Sequence, residues 1–201
     1  MVKRLALLTL TAVLTAVPAF AQTWQIDPAH SRAQFTVRHL GISNIRGDFA
    51  GVTGTIDYDG KDLTKAKVKA SVDVSTVTTR VVPRDAHLKT ADFFDLSNHP
   101  TMTFVSTAIT RAAGGKYKMT GNLTLRGVTK PVTLDLDAPA GPITDKGQVK
   151  IGASASGMIN RKDFGMAYHQ VLDNGALGVA DNVYIQLDVE LIQQAAKSST
   201  N

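Results

Sequence analysis

WQIDPAHSRAQFTVRHLGISNIRGDF, residues 24–49, is the stretch whose reading decides the fold. Ala33, Phe35, Val37 and His39 alternate with Arg32, Gln34, Thr36 and Arg38. Side chains of a strand point alternately to its two faces, so one face here is apolar and ends in an ionisable ring. Asp27-Pro28 interrupts the segment before the alternation begins, because proline lacks the N–H that a ladder needs. The spacing predicts a strand with one face turned inward.

The same two-residue period recurs through the chain. A second run spans 46–58, with Phe49 in one phase and Val52, Ile56 and Tyr58 in the other. That switch predicts a bulge or bend near Ala50-Gly51. A third run, 66–78, sets Val68, Ala70, Val72 and Val74 against Lys67, Lys69, Ser71 and Asp73. Further runs cover about 100–110, 116–126, 131–137, 148–160 and 183–191, and Pro139 to Pro142 reads as a loop. Residues 84–95, RDAHLKTADFFD, predict a single helix from the i, i+3, i+6 spacing of Leu88, Ala91 and Phe94. About eight strands with little helix make the class all-β and antiparallel.

Met1–Ala21 reads as a cleaved secretory signal: Lys3 and Arg4, an apolar run from Leu5 to Val17, then Ala19-Phe20-Ala21. The expected location is therefore the periplasm. Removing Lys3 and Arg4 with the leader takes the net charge from +5 to +3. No basic run with interleaved aromatics is present, which argues against nucleic-acid binding. Cysteine is absent, so an exported fold must stand on its core without disulfides. The expected organisation is a signal at 1–21, one barrel domain at 22–193 and a polar tail at 194–201.

Alternation fits a sandwich as well as a barrel. The inward phases, however, carry small residues: Ala70, Gly121, Ala153, Ala155 and Gly157. A small-residue lining leaves a barrel unfilled, which favours a closed barrel around a cavity. Two connections, 79–99 and 161–181, are long for a meander. Their apolar residues (Phe93, Phe94, Phe164, Met166, Tyr168, Val171, Leu172) suggest that they pack over a barrel end.

Catalytic motifs are missing. The five histidines (His30, His39, His87, His99, His169) stand in no HxH or HExxH context, so no metal site is expected. Ala153-Ser154-Ala155-Ser156-Gly157 is a mid-strand run and not a nucleophile elbow. Asp57, Asp59, Asp135, Asp137 and Asp188 fall on polar faces. What remains is apolar burial, worth about 0.8 kcal/mol for each CH2 removed from water. That points to a ligand with a long hydrocarbon chain.

Eight blocks carry a family resemblance: IDPAHS (26–31), FTVRHL (35–40), IRGDF (45–49), RDAHLK (84–89), DFFD (92–95), HPTMTF (99–104), GNLTLRGVTKPV (121–132) and INRKDFGM (159–166). In this order they resemble the YceI-like family of polyisoprenoid-binding periplasmic proteins. The resemblance implies an eight-stranded antiparallel lipocalin-like barrel with an isoprenoid or similar amphiphile threaded through it. It implies no catalytic residues and no cofactor beyond that lipid.

Face assignment then gives the expected ligand wall: Phe35, Val37, Phe49, Val72, Val74, Phe104, Met119, Leu123, Leu134, Ile151, Ala155, Ile185 and Leu187. His39, Arg84, His87, Arg161 and His169 are the headgroup candidates. The expected activity is that of a carrier for a polyisoprenoid, isoprenoid quinone or similar lipid, with transient membrane contact and room for a homodimer. Two alternatives stay open: a stress-related chaperone or protein-interaction module using 161–181, and an enzyme acting on a lipid or quinone through His39 or His87.

Overall fold

The computed structural model describes residues 22–171 and 177–195; the expected signal at 1–21 and residues 196–201 of the expected tail lie outside the described residues. In chain order the strands are β1 (Gln22–Ile26), β2 (Arg32–His39), β3 (Ser43–Phe49), β4 (Thr53–Tyr58), β5 (Lys67–Asp73), β6 (Thr101–Arg111), β7 (Tyr117–Leu125), β8 (Val128–Leu136), β9 (Ala140–Asp145), β10 (Gln148–Asn160) and β11 (Val179–Gln193). Helix α1 (Val82–Leu88) lies between β5 and β6. All strand pairings are antiparallel, and β1–β4–β5–β6–β7–β8–β10–β11 returns to β1. Among the described residues this is a closed eight-stranded barrel with one α-helix, as the small inward residues and the family resemblance predict.

Two of the eight staves are bent. β1 and β2 form one stave, split at Asp27-Pro28; β3 and β4 form another, split at Ala50-Gly51. On β11, residues 179–188 face β2 and residues 191–193 face β1. At the break, Asp27 N–H donates to Glu190 O at 2.8 Å, and Glu190 N–H donates to Ser31 Oγ at 3.1 Å. Ser31 is 2% exposed. Its hydroxyl stands in for a backbone acceptor that the bent stave cannot offer, so the buried N–H is not left unpaired.

Inward residues from every stave form one cluster around Trp24, Ile26, Phe49, Val52, Ile56, Leu134 and Leu191. A second cluster of Leu125, Phe164 and Met166 caps the end at which β7 turns into β8. The small inward residues act in a way the alternation alone does not show. Phe35 sits directly across from Gly47, and a Cβ on Gly47 would lie 2.3 Å from Phe35 Cζ. Gly121 lies equally close under the Phe104 ring, and Gly157 under Leu134 Cδ2 at 2.7 Å. These glycines let bulky inward side chains lie flat on the wall rather than fill the lumen.

Several boundaries differ from the sequence reading. The helix is Val82–Leu88 and not 84–95; past Lys89 the chain closes into turns, where Asp95 accepts hydrogen bonds from Ser97 and Asn98. Ala91 is exposed, so the i+3 spacing there was not a helix face. Part of the expected 139–142 loop is β9, which pairs with the start of β10. The third run ends at Asp73, whose carboxylate accepts from Ser75 N–H and starts a 3-10 turn at Val74–Thr76. Val74 therefore leaves the strand phase.

Replacing Gly121 by Ala drives a methyl to 2.3 Å from Phe104 Cζ and 2.6 Å from Val105 O. Overpacking of this kind costs about 1–3 kcal/mol, against the ~0.5–1 kcal/mol a strand gains when alanine replaces glycine. Urea denaturation should show Gly121→Ala destabilised. Gly152→Ala, with nothing within 4 Å of the new methyl, should be neutral or stabilised.

Candidate functional site

The barrel encloses a cavity of about 400 Å³. It runs from Tyr58, Leu63 and Leu136 at the end where β4 and β8 finish to His39, His87 and Tyr168 at the other. Its volume falls within the roughly 300–1,000 Å³ typical of small-molecule sites. The wall is overwhelmingly aliphatic and aromatic. Among the described residues it holds no aspartate, glutamate or lysine; its ionisable groups are His39, Arg84, His87, Arg161, Tyr58 and Tyr168. Burial pushes the Tyr58 phenol up, so it stays a neutral hydroxyl.

Sixteen of the residues singled out from the sequence lie on this wall: Phe35, Val37, His39, Phe49, Val72, Arg84, His87, Phe104, Met119, Leu123, Leu134, Ile151, Ala155, Arg161, Ile185 and Leu187. Two lie elsewhere. Val74 is 1% exposed but packed in its 3-10 turn away from the cavity. His169 is exposed and off the wall. The sequence reading left several wall residues out. Ile45, Val52, Ile56 and Ile109 follow strand phase and could have been included. Leu63 belongs to a 3-10 turn, Leu63–Lys65, capped by the Asp62 carboxylate, where no two-residue period exists to announce it.

The two long connections meet over one end of the barrel. His87 packs edge-on to Phe93 at 5.1 Å and to Tyr168 at 5.2 Å between ring centroids, and Phe93 lies 5.0 Å from Tyr168. Arg126 Nη1 donates to Phe93 O at 3.1 Å and pins that residue. Phe94 meets Phe49 edge-on at 5.3 Å, tying the lid to the barrel interior. Phe164 and Met166 are buried, whereas Val171 is 53% exposed and Leu172 lies outside the described residues. The lid thus presents a wet side and an oily underside.

The charged candidates divide. Arg161 is 3% exposed and commits four of its five N–H groups: it donates to Ala180 O (3.0 Å), Met166 O (2.7 Å), Val179 O (3.2 Å) and Asp181 Oδ1 (3.0 Å). Its guanidinium fixes the return of the 161–181 connection onto β11 from its place on the cavity wall. Arg84 donates through Nε to Thr79 Oγ1 at 2.7 Å and through Nη2 to Thr79 O at 3.1 Å, leaving three N–H groups over. Beside it, burial opposes the charge of Asp85, but hydrogen bonds from Thr79 and Thr78 outweigh that and hold its carboxyl below the usual carboxylate range. His87 Nε2 lies 2.7 Å from Asp92 Oδ2 at the surface, and His39 closes β2 on the wall.

Asp27, His30 and Glu190 form the one group among the described residues whose ligand atoms are close enough for a metal ion, within 4.8 Å. Lys150 Nζ already lies 2.6 Å from Glu190 Oε1, its ammonium held protonated by that hydrogen bond. The group sits at the bend of the first stave, on the outer surface, and not on the cavity wall.

The family model for the YceI-like domain matches residues 24–191. The chain belongs to the YceI-like family. A UPF0312 protein of Pseudomonas aeruginosa is 36% identical over 195 residues, covering 96% of this chain and 98% of that protein. The protein YceI of Salmonella arizonae is 34% identical over 197 residues, covering 96% of this chain and all of its own length. Among solved structures, a Campylobacter jejuni YceI protein superposes with a TM-score of 0.66 at 32% identity, covering 79% of this chain and 90% of that one. A polyisoprenoid-binding domain from Saccharophagus degradans shares the fold at a TM-score of 0.61 and 14% identity, covering 87% of this chain and 99% of that one.

Removing Arg161 leaves three backbone carbonyls without their donor in a buried site, while Asp181 keeps Lys162 Nζ at 2.8 Å. Arg161→Met keeps most of the volume and should cost about 2–5 kcal/mol of stability. A lowered urea midpoint measures this; an unchanged midpoint would show that the guanidinium does not hold the connection.

Proposed function

We propose that this YceI-like chain binds one long-chain amphiphile of the isoprenoid class inside its barrel and carries it through the periplasm, without acting on it chemically. The observation that carries this reading is the continuous apolar cavity along the barrel axis, closed at one end by the aromatic lid. The Saccharophagus domain, which binds polyisoprenoid, has the same fold. The choice of a hydrocarbon ligand for this chain rests on the chemistry of its own wall.

The energetics favour exchange over capture. A hydrocarbon chain transferred from water would gain about 0.8 kcal/mol per CH2. Its working reference state is a bilayer, already as apolar as the cavity. Transfer from membrane to barrel is then close to neutral, and shape and headgroup contacts decide which lipid is held. Such a protein loads and unloads rather than acting as a sink. A non-enzymatic role accords with the state of the cations on the wall: Arg161 is locked by carbonyls, and Arg84 is positioned by Thr79.

Ala155 is an inward residue of β10, 8% exposed and paired with Leu136 and Leu187. An indole placed there enters the lumen, which has room for it at the ligand's expense. Ala155→Trp should abolish uptake of a fluorescent isoprenoid alcohol while circular dichroism stays barrel-like. Undiminished uptake by the folded variant would remove the cavity as the binding site.

A further inference from the structure

Exchange between bilayer and barrel is close to neutral only if the chain never crosses water, because every CH2 exposed in transit loses its full hydrophobic stabilisation. The mouth of the cavity then has to meet the bilayer directly. Outside the strands, the exposed large hydrophobics among the described residues are Ile42, Val81, Val82 and Val171, and all four lie in connections at the lid end. Ile42 is 76% exposed at the turn from β2 to β3, and Val82 is 82% exposed at the start of α1. At the far end Ile143 is exposed on β9. A single exposed aliphatic side chain is ordinary, but four gathered round one opening mark a contact surface.

Hydrogen bonds join these connections into one rim. Leu40 N–H donates to Gly178 O at 2.9 Å and Gly178 N–H to Gln170 O at 2.7 Å, which sets the Ile42 turn beside Val171. Arg38 lies over the same turn, donating through Nε to Gly41 O at 3.1 Å and through Nη1 to Asn44 Oδ1 at 3.3 Å. Asn44 and Arg80 line one recess of the outer surface, and Arg80 is exposed immediately before Val81. Among the described residues no carboxylate comes within ion-pair distance of Arg38 or Arg80. The carboxylates of this end are answered elsewhere: Asp85 by Thr78 and Thr79, Asp92 by His87, Asp181 by Lys162. Aliphatic tips flanked by such cations complement a bilayer that carries anionic lipids, with the tips in the acyl boundary and the guanidinium groups at the level of the phosphates.

We propose that the lid end docks on an anionic bilayer surface, with Ile42, Val82 and Val171 entering it and Arg38 and Arg80 resting on it, so that lipid passes between membrane and cavity without meeting water. The proposal rests on the lipid-binding reading above and adds the partner that supplies and receives the ligand. It uses residues that lie off the cavity wall.

The test floats the full chain with vesicles of phosphatidylcholine alone or mixed with phosphatidylglycerol. It also follows transfer of a fluorescent isoprenoid alcohol from those vesicles and its affinity in vesicle-free buffer. The wild type should float with the anionic vesicles, less so as salt rises. The double variant Ile42→Ser, Val82→Ser should lose vesicle binding and transfer rate by roughly tenfold or more while keeping its melting temperature and its affinity in buffer. Arg38→Gln, Arg80→Asn should erase the preference for anionic vesicles; asparagine tolerates the φ of 64° at Arg80. Ile143→Ser, at the far end, should change nothing. A wild type that takes up the alcohol from buffer but does not float, or a serine double variant that floats and loads undiminished, overturns the docking face and leaves lipid binding standing. Equal loss in Ile143→Ser overturns the assignment to the lid end. A wild-type dimer that the serine double variant dissociates gives the face to a second copy of the chain. Flotation without uptake from either medium overturns the lipid-binding reading and, with it, docking as a delivery step.

Discussion

The barrel depends on β11 serving two neighbours at once. Along one edge it pairs with β10 from Asn182↔Asn160 to Ile192↔Lys150 without a break. Along the other it changes partner, from β2 to β1, where Pro28 interrupts the first stave. A sheet closes into a barrel where its first and last staves pair, and an unsatisfied edge would template association with another chain. The Ser31 hydroxyl carries the ladder across the gap by accepting from Glu190 N–H. With the seam closed, the inward phase of all eight staves has no solvent to face, and an apolar interior follows.

Why that interior is hollow is a separate matter, settled by glycine. Phe35 and Phe104 are large enough to plug a narrow barrel. Each instead lies over a glycine, Gly47 and Gly121, which gives it a place against the wall. Closed edges and flattened rings together produce a cavity of about 400 Å³ in a chain with an ordinary apolar content. The lid completes it: Phe93, Tyr168 and His87 pack edge to face, an arrangement that suits the ring quadrupoles. The charges on the cavity wall divide. Arg161 faces carbonyls and builds structure, whereas Arg84 bonds Thr79 alone and has three N–H groups over.

Much of this was legible in the residues because strand phase is a strict code. Phe35, Val37 and His39 read as inward from alternation, and all three reach the cavity. The phase switch at Ala50-Gly51 announced the bend between β3 and β4. Legibility failed where the backbone leaves the two-residue period. Val74 looked inward until Asp73 capped a 3-10 turn, and Leu63 was silent in a turn of its own. Arg161 carried the right charge at the right end, but a list of charges does not reveal which carbonyls will surround it. That β3 meets Thr78 by one bridge, Asp48 to Thr78, and makes no ladder with β5 depends on which strands fail to pair, which no single segment encodes.

The central claim is that the cavity exists to be filled by one lipid. Native mass spectrometry of the protein, purified without detergent, tests it most directly. The account predicts the mass of the chain plus a single long-chain adduct that partitions into organic solvent when the protein is denatured. A bare chain mass that persists after incubation with isoprenoid-containing vesicles would contradict it.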